Sequence, residues 1–97
     1  MVNIINQIFE IQEKCNANEI SLLERNLNRL HNEIENMGYI IINPINTEYK
    51  DTAADIEANF AEGAKSNQIT KVMKPVIYQE TETGGRELIQ KGIVIVG

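Results

Sequence analysis

The sequence contains very little cysteine, histidine, proline or aromatic side chain. It has one Cys, one His, two Pro and no Trp, and aromatic residues make up 5% of its 97 positions. A single Cys excludes a disulfide within the chain, and one Cys with one His cannot supply a Cys/His zinc site. The apolar fraction is nevertheless 42%, carried largely by 16 Ile. That fraction predicts one small folded domain, with or without a helical appendage, and not a disordered acidic segment.

Basic residues and long apolar runs are also scarce. Asp and Glu number 14 against 9 Lys and Arg, a formal charge of -5. This balance argues against a nucleic-acid partner, which requires a concentrated basic face. The longest apolar runs, Tyr39–Ile42 and Ile93–Val96, have four residues, whereas a membrane-spanning helix needs roughly 20. We therefore expect a cytoplasmic protein with no membrane partner, and the lone Cys suits a reducing compartment.

The first 38 residues have the apolar spacing of two helices. In residues 2–15 apolar side chains recur at steps of four and three and so form a stripe along one side of a helix. The stripe consists of Ile4, Ile8, Ile11 and Cys15, and a second row beside it consists of Ile5 and Phe9. Residues 16–18 (Asn-Ala-Asn) interrupt it. Ser21 and Glu24 have the spacing of a capping box, which predicts the start of a second helix, and Gly38 stands where a left-handed cap would end it. A single stuttered helix is the alternative.

The width of these apolar stripes predicts a homodimer. Two short amphipathic helices and a small sheet cannot cover so much apolar surface, whereas four helices from two chains can do so as a bundle. We accordingly divide the chain into a helical dimerisation region, 1–38, and a β-domain, 39–97. The expected dimer interface comprises Ile4, Ile8, Phe9, Ile11, Leu23, Leu27, Leu30 and Ile34.

After Gly38 the pattern changes to short β-branched runs separated by turns, one of which is Thr83-Gly84-Gly85. Strands are expected at Tyr39–Ile42, across Ile69–Tyr78 with Pro75 at an edge or bulge, and at Leu88–Val96, whose end we expect to be buried on both faces. Residues 52–62 are compatible with a helical turn or a strand. The fold class is therefore α+β: two helices followed by a small β-domain.

No residue pattern points to catalysis or metal binding. His31 lies off the apolar stripe with no nucleophile at a useful spacing, and is expected on the helix surface. Cys15 continues the apolar stripe and is expected in the core. An acidic group, Asp51, Asp55 and Glu57, lacks the calcium-loop pattern and is most simply a solvated loop, although a small enzyme built on it is an alternative. We expect no catalytic residue, no metal and no cofactor, which leaves a binding module.

The order of these segments resembles the GrpE family, the nucleotide exchange factors of DnaK-type chaperones. IINQIFEIQE is similar to the end of the family's long helix, and SLLERNLNRLHNEIENMGYIIINP to its short helix and first strand. TEYKDTAADIEA resembles a family segment at Glu48, Asp51, Glu57 and Ala58, and GGRELIQKGIVIV resembles the closing strand. Thr47 and Ile56 replace a family Gly and His, which suggests a divergent branch with a specialised DnaK-like partner.

The resemblance implies a function and a partner surface. The β-domain would press on one lobe of a DnaK-type ATPase and hold its nucleotide cleft open, so that ADP leaves faster. The residues carried over by position to the partner surface are Met73, Arg86 and Val96. Only about two turns of the family's long paired helix precede Phe9; if residue 1 is the true start, the functions of that stalk are expected to be absent. A dimeric adaptor without nucleotide exchange is the alternative function.

Overall fold

A computed structural model describes residues 1–97 and has the predicted α+β order. Two helices precede six strands that form two three-stranded sheets. No helix has the length and apolar character needed to cross a membrane. The helices are α1 (Val2–Ala17) and α2 (Glu24–Asn36), and the strands are β1 (Tyr39–Ile42), β2 (Ile56–Phe60), β3 (Ile69–Lys74), β4 (Val76–Glu80), β5 (Arg86–Gln90) and β6 (Gly92–Val96).

The break between the two helices is confirmed, but its capping differs from the prediction. Helix α2 begins at Glu24 with Leu23 as N-cap, and no side chain caps it. Ser21 contributes its backbone carbonyl, which accepts a hydrogen bond from the Glu24 N–H, so the predicted capping box is wrong. At the other end, Gly38 has the expected left-handed backbone, with φ of +92°. Its missing Cβ allows the chain to turn directly from α2 into β1.

Each sheet is built from strands that are distant in sequence. The first sheet has the order β1-β4-β5 and is antiparallel; the second has the order β2-β6-β3, with β2 parallel and β3 antiparallel to β6. The chain passes between sheets at Pro75, between β3 and β4, and at Lys91, between β5 and β6. The ambiguous residues 52–62 contain β2, so their helical interpretation is wrong. The Leu88–Val96 run is likewise two strands, one in each sheet.

Two apolar clusters form the core, one against each sheet, and α1 contributes to both. Ile5 packs with Ile34 and Ile77 on the first sheet. Phe9 packs on the second sheet with residues of β3 and β6: Ile69, Val72, Val94 and Val96. Helix α1 therefore lies across both sheets and joins them.

This packing corrects two expectations from the sequence. Phe9, Leu27 and Ile34, which were assigned to a dimer interface, are buried within the single chain. The helical spacing identifies an apolar stripe, but it cannot say whether a sheet or a second chain covers it. In β6, Ile93 and Ile95 alternate as half-buried residues with buried neighbours, so the strand is not fully buried on both faces.

A pair of side-chain amides holds α1 at the seam between the sheets. Asn6 Nδ2 donates to Gln90 Oε1 at 2.8 Å, and Gln90 Nε2 donates to Asn6 Oδ1 at 2.9 Å. The same Gln90 nitrogen donates to the Pro75 carbonyl at 2.9 Å. Gln90 directly precedes Lys91, where the chain passes from β5 to β6, and it is hydrogen-bonded to Pro75, where the chain passes from β3 to β4. It thus connects α1 to both points where the chain changes sheet.

Gly92 occupies a position with no room for a side chain. A Cβ there would lie 2.8 Å from Val76 Cγ2 and 3.5 Å from the Lys74 carbonyl oxygen. Val76 is buried and its branched side chain cannot swing away without disturbing the core. The close approach of Gly92 and Val76 is what lets β6 pass beneath the β3–β4 crossing.

We predict that Gly92→Ala destabilises the protein by about 1–3 kcal/mol, the usual cost of overpacking a core. Gly85→Ala is the matched control, because a Cβ there meets only the Thr81 hydroxyl at 3.4 Å on the surface. Urea unfolding followed by circular dichroism measures both. Equal stability of the two variants would contradict the proposed close packing.

Candidate partner-binding site

The structure places the three predicted partner residues in different environments. Val96 is completely buried in the core, so its assignment to the partner surface is wrong. Met73 is half exposed and lines a groove between α1 and β3, together with Phe9 and Lys71. Arg86 is exposed at the start of β5 and lines a separate depression beside the Thr81–Gly85 turn. The sequence-predicted residues therefore do not form one continuous site.

Arg86 is held in place by the side chain of Tyr78. The guanidinium carbon lies 4.2 Å from the centre of the Tyr78 ring, within the range of a cation–π contact. The Tyr78 hydroxyl in turn donates a hydrogen bond of 2.8 Å to Asp55 Oδ2. A chain of contacts therefore runs from the loop before β2, through the strand β4, to the exposed cation on β5.

The Arg86 guanidinium has no carboxylate partner within the chain. Glu80 faces Arg86 across the β4–β5 pair but does not pair with it. The only contact between a basic side chain and a carboxylate is the hydrogen bond of His31 with Glu35 of α2, at 2.8 Å. A guanidinium carries five N–H donors in a planar fork that matches a carboxylate. Stacking on Tyr78 uses none of those donors, so they remain available to an acceptor outside the chain.

Asp55 stabilises the neutral form of Tyr78. Its hydrogen bond raises the pKa of the Tyr78 hydroxyl, and burial and the Asp55 charge act in the same direction, while the Arg86 charge opposes them. The hydroxyl therefore stays protonated, and hydrogen-bonded to Asp55, at all physiological pH values.

The acidic residues considered as an alternative enzyme site, Asp51, Asp55 and Glu57, do not form a cluster. Asp55 is engaged with Tyr78, whereas Asp51 and Glu57 are exposed, and no three His, Cys, Asp or Glu side chains lie close enough together to hold a metal ion. Cys15 is buried, as expected. His31 is half exposed and its ring contacts Glu35 one helical turn later.

Sequence reasoning identified Arg86 but missed Tyr78 and Asp55 as its supports. Tyr78 and Arg86 are separated by a hairpin whose Thr-Gly-Gly turn was recognised, so a cross-strand contact between them was a readable signal. Asp55 had no such signal. Its place beside Tyr78 depends on β2 running parallel to β6, which no local pattern indicates.

Each helix also carries exposed apolar side chains that are spaced seven residues apart. Ile4 and Ile11 on α1, and Leu23, Leu30 and Met37 on or bordering α2, are each between 42% and 60% exposed. A spacing of seven places apolar side chains along one seam of a helix, as in coiled coils and helical bundles. We call these five residues the heptad face. The heptad face retains four of the predicted interface residues and lies outside the chain's own core. A further predicted interface residue, Ile8, is half buried and packs against the core cluster of the first sheet.

Taken together, Arg86 on Tyr78 and the heptad face offer surfaces for binding other proteins. Comparison of the chain with protein-family models, with curated proteins and with solved structures finds no match.

We predict that Tyr78→Phe lowers the free energy of unfolding by about 1 kcal/mol at pH 7, the value of one hydrogen bond. Because folding raises the pKa of Tyr78, this contribution is complete below the ordinary tyrosine pKa and is lost as pH rises through the higher pKa of the folded state. Urea unfolding at pH 8 to 11 should therefore show the difference between wild type and variant narrowing above about pH 10. Tyr39→Phe, on the adjacent strand β1, is the control; a constant difference for Tyr78→Phe would contradict the role of Asp55.

Proposed function

We propose that this protein is a nucleotide exchange factor that binds a DnaK-type ATPase and promotes release of ADP. The observation that carries the proposal is Arg86, an exposed cation stacked on Tyr78 with no carboxylate partner in its own chain. The position is the one assigned to the partner surface by the resemblance to GrpE. The order of two helices followed by a small β-domain agrees with that resemblance.

The proposed activity requires only differential binding. A partner ATPase exchanges between closed and open states of its nucleotide cleft, and ADP is held more weakly in the open state. A protein that binds the open state more tightly shifts the population toward it and so accelerates ADP release. Arg86 would contribute by pairing with a carboxylate that is correctly placed only in the open state, and no bond of the nucleotide is made or broken by this chain.

We further propose that the protein acts as a homodimer through the heptad face. Its five apolar residues are exposed in the single chain, and such a surface is a liability unless it is covered. Pairing the α1 and α2 layers of two chains would cover it in a four-helix bundle. The β-domain would then lie on the other side of each helix pair, because Ile5 and Phe9 face it.

We predict that Arg86→Ala weakens binding to the cognate ATPase by roughly 1–3 kcal/mol, as for an interface hot spot. The melting temperature should change little, because Arg86 lies on the surface and makes no ion pair. Release of labelled ADP from the ATPase, measured with limiting amounts of this protein, should slow in proportion to the loss of binding affinity.

Arg25→Ala is the matched control, because it removes an exposed guanidinium from α2 and not from the β-domain. Wild-type exchange by Arg86→Ala would contradict the proposed site. If wild-type protein binds the ATPase without accelerating ADP release, the adaptor alternative is correct instead.

We predict that Leu30→Asp converts the dimer to a folded monomer. A charge in the middle of the heptad face would be buried without a partner in the bundle, whereas it is hydrated in the separate chain. Leu27→Asp is unsuitable for this purpose, because Leu27 is buried within the chain and its replacement would unfold the monomer.

The mass of each variant is measured by light scattering after gel filtration, with circular dichroism to verify folding. Asn26→Asp, an exposed polar position on the same helix, should remain dimeric. A wild-type protein that is monomeric at micromolar concentration would contradict the proposed dimer.

A further inference from the structure

The outer edge of β5 has no strand beside it. In the first sheet β5 neighbours only β4. At the hairpin the Thr81 N–H donates to the Gly85 carbonyl, and the Glu80 N–H points the other way, to the Gly38 carbonyl. Since bonded and non-bonded pairs alternate along an antiparallel ladder, and Glu80 pairs with Arg86 and Tyr78 with Leu88, the N–H and C=O groups of Arg86 and Leu88 face outward.

The other sheet edges are less suited to receive a strand. The start of β3 is already covered by the segment 46–49, through hydrogen bonds between Asn46 and Ile69 and between Ile69 and Thr47. Strand β1 has only four residues and carries no basic side chain. Strand β2 carries Glu57 and no basic residue, whereas β5 begins with the unpaired cation.

The side chains along the β5 edge define what would bind there. Arg86 and Leu88 share the face of the sheet on which Tyr78 lies, because Leu88 is opposite Tyr78 and alternate residues of a strand point the same way. Arg86 offers N–H donors, Leu88 is half buried, and Ile89 is 36% exposed. The two acids nearby do not pair with Arg86: Asp55 accepts the Tyr78 hydroxyl, and Glu80 makes no ion pair.

We propose that the β5 edge binds an extended, acidic segment of the partner protein as an added strand. Main-chain hydrogen bonds to Arg86 and Leu88 would supply affinity, as in other strand-addition complexes. An Asp or Glu side chain of that segment would pair with the Arg86 guanidinium and supply selectivity. The inference deepens the proposed function, on which it rests only for the identity of the partner.

The first test uses a capped hexapeptide of alternating Val and Asp, with alternating Val and Lys as its control. Nuclear magnetic resonance titration of the intact protein should shift the backbone amides of Arg86 and Leu88 more than that of Glu87, whose N–H points inward. The Asp peptide should bind at least about tenfold more tightly than the Lys peptide, as expected for a charge-assisted hydrogen bond. Arg86→Glu should reverse this preference.

The second test keeps the protein unchanged and removes N–H groups from the peptide. In an extended strand alternate N–H groups face the same edge, so methylating the nitrogens of all Val or of all Asp residues removes one set at a time. One methylated peptide should bind like the parent, and the other should lose about tenfold in affinity. Equal effects of the two methylations, or no binding by the Asp peptide, would overturn the proposal.

Three further outcomes separate this inference from its alternatives. Concentration-dependent shifts of the Arg86 and Leu88 amides without peptide would assign the edge to a second copy of the chain and overturn the proposal. If the peptide fails to bind while Arg86→Ala still slows ADP release, strand addition is wrong and the proposed function stands. If the peptide binds as described but no ATPase responds, the edge is a binding site and the proposed function is wrong.

Discussion

The fold depends on how the chain is held where it passes from one sheet to the other. Pro75 has no N–H, and its carbonyl lies at the crossing between β3 and β4, outside any strand. Gln90, at the other crossing, donates to that carbonyl and exchanges hydrogen bonds with Asn6 of α1. The side chains of Asn6 and Gln90 are half buried, and their amide groups satisfy one another's hydrogen bonds. This small network therefore fixes the two crossings and the helix relative to one another.

The helix α1 then joins two otherwise separate cores. Ile5 completes the cluster on the first sheet and Phe9 the cluster on the second. Each sheet has only three strands, about the smallest number that can be stable independently. The side of α1 that carries Ile5 and Phe9 packs on the sheets. The residues of the heptad face therefore remain exposed, and they form the surface proposed for dimerisation.

Asp55 connects the same seam to the candidate binding site. Its carbonyl accepts a hydrogen bond from Gly92 where β2 joins β6 in the second sheet. Its carboxylate accepts the hydroxyl of Tyr78 in the first sheet. One residue thus anchors the start of β2 and the ring on which Arg86 stacks. The orientation of the exposed guanidinium follows from the packing of both sheets, although Arg86 itself contacts only the first.

The sequence alone determined the elements that local chemistry can specify. The helical spacing before Gly38, the break within residues 16–18, the strand Tyr39–Ile42 and the Gly-Gly turn each follow from side-chain periodicity or from backbone freedom, and the structure confirms them. Arg86 was found by resemblance, and its exposure follows from its place beside that turn. These features involve residues that are close in the chain, so their patterns are complete within a short window.

The tertiary structure alone decided which surface covers each apolar stripe and which residues meet across the sheets. Phe9, Leu27 and Val96 carry the same apolar signal as Ile4 and Leu30, yet the first three are buried in the chain and the last two are exposed. The segment Ile56–Phe60 is a strand because it pairs in parallel with β6, more than thirty positions away. Burial and strand pairing depend on residues that are far apart in the sequence. A local pattern contains no information about which of those residues folding brings together.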